Sequence, residues 1–212
     1  MPRKLAAGQF FYRFSGDVRL NGIAVTLTTP IAAGNVLTTG QKSFAIFVFE
    51  KDALILLSGS EMTVGSTSGE KPVESLSEGA KPSLVLSAYV LNKGKVLSVL
   101  ASRTTRITTS SALVRILGTG VYVEVEPEES YVCVCYGSTL LESALDPSIQ
   151  EAVVTEHHDQ PKYVTGGSEP KILPAPFKNH DDEELLLIET LVGRTTPYLV
   201  PAGRQKSLNS YF

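Results

Sequence analysis

Asp17-Val-Arg-Leu-Asn-Gly-Ile-Ala-Val25 decides the fold class. Val18 and Leu20 alternate with Asp17 and Arg19, and Ile23 and Val25 take the alternation up again. Between them, Asn21-Gly22 supplies the two positive-φ residues of a type I′ turn. The spacing predicts a β-hairpin. The same grammar repeats outward. Gly34-Asn35 and Gly40 mark the next turns, and Phe44-Ala-Ile-Phe-Val-Phe49 is apolar at every position. Such a run fits a central strand covered on both faces. After a turn at Lys51-Asp52, Ala53 to Leu57 reads as its partner.

Short runs rich in Val, Ile, Leu, Phe and Thr continue at 84–91, 95–100, 104–109, 113–117, 121–126 and 131–136. Leu140 and then Ala152 to Val154 add short edge strands. A polar Ser/Glu/Gly stretch between Gly65 and Lys81 reads as a long loop. From Glu156 the composition changes. Gly166 to Pro176 is Gly/Pro-rich without apolar periodicity, and a helix is predicted over about 180–193. Asn179 or Asp181 can cap it, Leu185, Ile188 and Val192 share one face, and Gly193 fits the position after its end. The predicted fold is therefore all-β, a roll, solenoid or sandwich of many short strands, with the one C-terminal helix packed on the sheet. Residues 1–15 form a lead-in, 16–155 the β domain, and 156–212 the Gly/Pro-rich segment, the helix and an irregular tail.

The 212 residues carry a net charge of −3, and 19% are charged, fewer than the roughly 25% usual for globular chains. The basic residues are scattered (Arg103 with Arg106, Arg204 with Lys206) instead of forming the stripe that a phosphate backbone needs. Nucleic acid is not an expected partner. No apolar run approaches the roughly 18 residues of a membrane span. Met1-Pro-Arg-Lys-Leu-Ala-Ala-Gly8 has basic residues but no apolar core, so it is no signal peptide as it stands. A leader removed from it would make the protein periplasmic; otherwise it is cytoplasmic.

Two stretches together resemble the FecR family, named for the regulator of ferric-dicitrate transport. The first runs from Gly16-Asp-Val-Arg19 through Ile31-Ala-Ala-Gly-Asn-Val-Leu-Thr-Thr-Gly40 and Ser43-Phe-Ala-Ile-Phe-Val48 to Leu54-Ile-Leu-Leu-Ser-Gly-Ser60. The second is Arg106-Ile-Thr-Thr-Ser-Ser-Ala-Leu-Val-Arg-Ile-Leu-Gly-Thr-Gly120 with the strands after it, and the resemblance spans roughly 16–143. Ser110 and Leu117 stand where the family favours Pro and Arg. The resemblance implies a non-enzymatic, all-β binding or signalling module of the bacterial cell envelope, recognising a protein or other envelope partner. Stand-alone exported members carry a C-x-C-Y-G strand, an H-H-D segment and an N-H-x-D helix start. Cys133, Cys135, Tyr136, Gly137, His157, His158, Asp159, Asn179, His180 and Asp182 match that pattern.

The odd residues suggest a chemistry of their own. Cys133 and Cys135 are the only cysteines, set as C-x-C in Tyr131-Val-Cys-Val-Cys-Tyr-Gly137. In a strand both thiols face one way, roughly 6.5–7 Å apart at Cα, the upper limit for a disulfide. Bridging them would require a distorted strand. All three histidines follow: His157 and His158 between Glu156 and Asp159, and His180 beside Asp181. Thiolates with imidazoles suit Zn or Cu, with neighbouring acids orienting the rings. Cys133, Cys135, His157, His158 and His180 are thus candidate metal ligands, in a metal-binding or thiol-redox protein. The alternatives are two cysteines buried in a core strand, an intermolecular or mixed disulfide, and a Cys–His nucleophile. Glu124, Glu126, Glu128 and Glu129 read as a solvated acidic rim.

Overall fold

The computed structural model describes residues 5, 9–65, 88–101 and 105–198. Residues 1–4 and 6–8 of the lead-in, the polar stretch over 66–81, the start of the strand expected at 84–91 and the tail beyond 198 lie outside these. The hairpin forms as the sequence predicts. Asn21 and Gly22 take φ of 51° and 82°, and they place Leu20, the end of one strand, opposite Ile23, the start of the next.

Among the described residues fourteen strands build one sheet: β1 (Phe11–Ser15), β2 (Val18–Leu20), β3 (Ile23–Ala24), β4 (Asn35–Thr39), β5 (Phe44–Phe49), β6 (Asp52–Leu56), β7 (Glu61–Val64), β8 (Ala88–Leu100), β9 (Arg106–Thr108), β10 (Ala112–Val125), β11 (Glu129–Ser143), β12 (Gln150–Thr155), β13 (Lys162–Thr165) and β14 (Ile172–Pro174). Its main path runs β14-β13-β11-β10-β9-β8-β7-β4-β2-β3, with β12 on β11 and β6, β5 and β1 branching from β8. Every pairing is antiparallel except β8 with β9. The fold is all-β with, among the described residues, a single helix, α1 (Asp182–Leu191).

Three long strands replace pairs of short ones. The stretches 113–117 and 121–126 are one strand, β10; 131–136 and Leu140 are one strand, β11; and 88–91 joins 95–100 in β8. Between the halves of these strands stand Gly94, Gly118 and Gly137, with positive φ of 83°, 104° and 86°. They sit where the ladder slips register or bends, because a left-handed residue serves a bulge as well as a turn. A second difference lies in the Gly/Pro-rich segment, which contributes β14 to the sheet against β13 just before it. Proline ends β14 at an edge, where a missing N–H is harmless.

Alternation divides the apolar residues between two cores. Ala45, Phe47, Leu54, Leu56, Val96, Val121, Val132 and Val134 face one, which draws on nearly every strand. Ile46, Ile55, Leu97, Val99, Tyr122, Tyr131 and both cysteines face the other. Phe44 to Phe49 is buried on both sides between β1 and β6, as a central strand should be. The second core is closed by α1, whose Leu185, Ile188 and Leu191 are fully buried. Each such side chain contributes about 1.5–3 kcal/mol by leaving water. A helix this short is marginal alone, so packing sustains it. Asp181 caps it, accepting from Glu184 N–H while the Glu184 side chain reaches back to the Asp181 N–H.

Candidate metal centre

The site begins at a defect in β11. Gly120 pairs with Tyr136 but Val121 pairs with Val134, leaving Cys135 as the extra residue of a bulge. Cys133 and Cys135 therefore both face the α1 side, and Tyr136 packs there too. Both thiols are free and buried. The bulge carbonyl of Cys135 accepts the His158 backbone N–H at 3.1 Å, fixing the turn after β12 to the strand.

His158 comes from that turn with a φ of 53°, and its Nδ1 lies 3.5 Å from Cys133 Sγ. His180 comes from the loop before α1, with Nε2 3.4 Å from Cys135 Sγ and 3.1 Å from His158 Nδ1. All four donor atoms lie within 4.8 Å of one another. Tetrahedral zinc with bonds of about 2.0–2.3 Å would set its donors roughly 3.3–3.8 Å apart. The donor set and its separations fit the ion.

Hydrogen bonds on the far sides of the rings fix their tautomers. His180 Nδ1 donates to the Lys178 carbonyl at 2.9 Å, so its Nε2 carries the lone pair. His158 Nε2 donates to Asp182 Oδ1 at 3.0 Å, so in the neutral ring Nδ1 carries the lone pair. Two lone pairs thus point at each other and at two sulfurs, an arrangement that calls for a shared proton or a cation between them. Carboxylate and carbonyl partners of this kind are what hold metal-binding histidines. Stacking on Tyr122, at 4.5 Å and 8° between planes, locks the His180 ring.

Charge follows the same geometry. Cys133 is drawn down to about 4, first by the hydrogen bond from Cys135, against the effect of burial, with His158 and His180 adding to it. Cys135 is pushed up by burial and then by its neighbour Cys133. For His158 burial opposes the cation, but Cys133 and Asp182 outweigh it and raise the value. Asp182 is lowered because His157 and His158 outweigh its burial.

His157, a candidate ligand from the sequence, stands outside the four. Its half-exposed ring meets both Asp182 oxygens at 2.9 and 3.0 Å and packs on Tyr198 at 4.2 Å. Adjacent residues around a left-handed turn point apart, so the pair divides: His158 goes inward to the sulfurs and His157 outward to the carboxylate. Asp159 plays no part in the cluster.

The sequence reading missed the brace behind His180. Lys178 Nζ lies 4.6 Å from the centre of the Tyr131 ring and pairs with Glu126. Asn179 donates to Glu124 Oε2 at 2.9 Å, and Lys95 pairs with Glu124 at 3.0 Å. Glu124 is thus a buried anchor, 8% exposed, where the sequence suggested a solvated rim. The strand period could have shown it, since Glu124 shares a face with Tyr122.

These partners outweigh burial and hold Glu124 below its ordinary value. A lowered acid stabilises the fold fully above its unfolded value of about 4.3, and the contribution is lost as pH falls through the folded value. Glu124→Gln should therefore be less stable at pH 7 and lose less stability between pH 5 and 3. Urea midpoints across that range measure it.

Among the described residues, no helix is long and apolar enough to cross a membrane. No family model matches the sequence, and no curated protein matches it. The chain is similar to two crystal structures, at 2.50 Å and 1.65 Å resolution, of a "putative anti-sigma factor" from Parabacteroides distasonis ATCC 8503. Each is 16% identical over 71% of this chain, with a TM-score of 0.47. The chain spans 62% of the length of those chains, less than two thirds.

Proposed function

We propose that this protein is a non-enzymatic β module that holds one zinc ion through Cys133, Cys135, His158 and His180. The ion ties the turn after β12 and the start of α1 to the bulge in β11. The observation that carries this reading is the pair of imidazole nitrogens, 3.1 Å apart and each ring held from behind, facing two buried sulfurs. A closed set of four protein donors leaves no position for water or substrate, which suits a structural site and not a catalytic one. The ion would supply a cross-link and neutralise the thiolates.

We place the module in the bacterial envelope, on the periplasmic side, as a binding or signalling domain that recognises a protein partner. The motif resemblance over 16–143 supports this. A bound ion would also keep two adjacent thiols from pairing in an oxidising compartment. Elemental analysis with thiol titration tests the site. One zinc per chain that shields both thiols, and its loss in His180→Ala, is the expected result. Thiols that react only after denaturation, with no metal present, would leave a metal-free module and overturn the zinc reading.

A further inference from the structure

Cys133 and Cys135 carry a second chemistry. We propose that these two thiols, when no metal holds them, close into a reversible intramolecular disulfide, so that zinc and a peroxide compete for one pair of sulfurs. Only the competition rests on the zinc reading; the bridge stands on the strand geometry.

In a regular strand, residues two apart sit at the upper limit of the Cα separation that a disulfide tolerates. Here Cys135 is the extra residue of a bulge, which bends the strand at this point. Both side chains lie on the α1 face, and the sulfurs are already within 4.8 Å of each other. Rotation about two side chains then closes the gap to a bond of about 2.05 Å. Imidazole nitrogens at 3.5 and 3.4 Å stand ready to take the thiol protons. Both sulfurs are fully buried, so the oxidant is one as small as hydrogen peroxide.

The chemistry balances in two steps. One sulfur, its proton passed to the facing imidazole, attacks a peroxide oxygen. The O–O bond breaks, the sulfur becomes a sulfenic acid, and the leaving hydroxide takes the imidazole proton and departs as water. The second sulfur displaces the sulfenic oxygen, which leaves with the second thiol proton as another water. Two thiols and one hydrogen peroxide give one disulfide and two waters. Two electrons pass from sulfur to oxygen.

The test treats the reduced, metal-stripped full chain with hydrogen peroxide and follows thiol titre and intact mass. Loss of both thiols and of the mass of two hydrogens in a monomer, reversed by dithiothreitol, is expected. Zinc at about 100 times its Kd should slow the loss about 100-fold, since only the metal-free fraction reacts. Cys135→Ser should gain oxygen on the remaining sulfur and form no bridge. Thiols that survive, oxygen added to both sulfurs of the unsubstituted chain, or a bridge between chains would each overturn the proposal. Calorimetric titration of zinc into the same preparation separates the two readings. Zinc bound without a bridge sinks this inference alone, and a bridge without zinc binding sinks the zinc site and its competition while the disulfide stands.

Discussion

Zinc added to the reduced, metal-stripped protein should raise its Tm by roughly 8–16 °C when free zinc stands about 1,000-fold above Kd. A ligand that binds the folded chain alone stabilises it by RT ln(1 + [L]/Kd), about 4.1 kcal/mol at that excess. For a chain of this size each kcal/mol moves Tm by roughly 2–4 °C. Zinc bound by the loose cysteines and histidines of the unfolded chain would trim the rise, so the lower end is the firmer figure. His180→Ala should abolish the rise while keeping the sheet, because His180 lies on the loop before α1 and not in a strand. Thermal melts of both proteins, with and without zinc, measure it. An unchanged Tm in the parent would mean that the four donors take up no ion.

Gly94→Ala should destabilise the protein by roughly 2–5 kcal/mol, combining left-handed strain with overpacking. That corresponds to a Tm lower by roughly 4–20 °C. Gly94 has φ +83°, and a Cβ there would stand 2.1 Å from Ser60 Oγ and 2.6 Å from Ser60 Cα. The backbone of Ser60 cannot retreat cheaply, because its Oγ accepts the Lys95 N–H at 2.8 Å and its carbonyl accepts the Thr39 N–H at 2.9 Å. Gly118→Ala is the matched comparison. Its φ is +104°, but nothing lies within 4 Å of the added carbon. It should lose only the backbone component, about 1–2 kcal/mol. Equal losses at the two positions, read from urea midpoints, would refute the steric argument.

These two glycines also mark what the sequence could and could not convey. The unbroken apolar run Phe44 to Phe49 and the Asn21-Gly22 turn declared a doubly covered strand and a hairpin, and both are present. The glycine demand at Gly118 was legible as well, while the positive φ of Gly94 and Gly137 came only with the structure. Whether the chain then reverses or continues past the kink depends on partners far along the chain, so long strands looked like pairs of short ones. The cysteines' common face followed from period two. The bulge that aims them did not, since it is fixed by the pairing of Gly120 with Tyr136. His158 and His157 are neighbours of identical chemistry, and only the left-handed turn after β12 separates their fates. The bracing roles of Lys178, Asn179 and Glu124 escaped notice because they exist only once the loop before α1 lies across β10 and β11.

Cys135 and His180 are 45 positions apart, yet little of that span remains free in the folded chain. β12 and β13 lie on β11, β14 lies on β13, and the Lys178 N–H reaches the Tyr131 hydroxyl at 3.2 Å. What an arriving ion must still immobilise is a short connection, and such closure carries a small entropic penalty. On the proposed zinc reading, uptake and withdrawal would therefore proceed on an assembled scaffold, without the wholesale unravelling that accompanies chelation of a zinc finger.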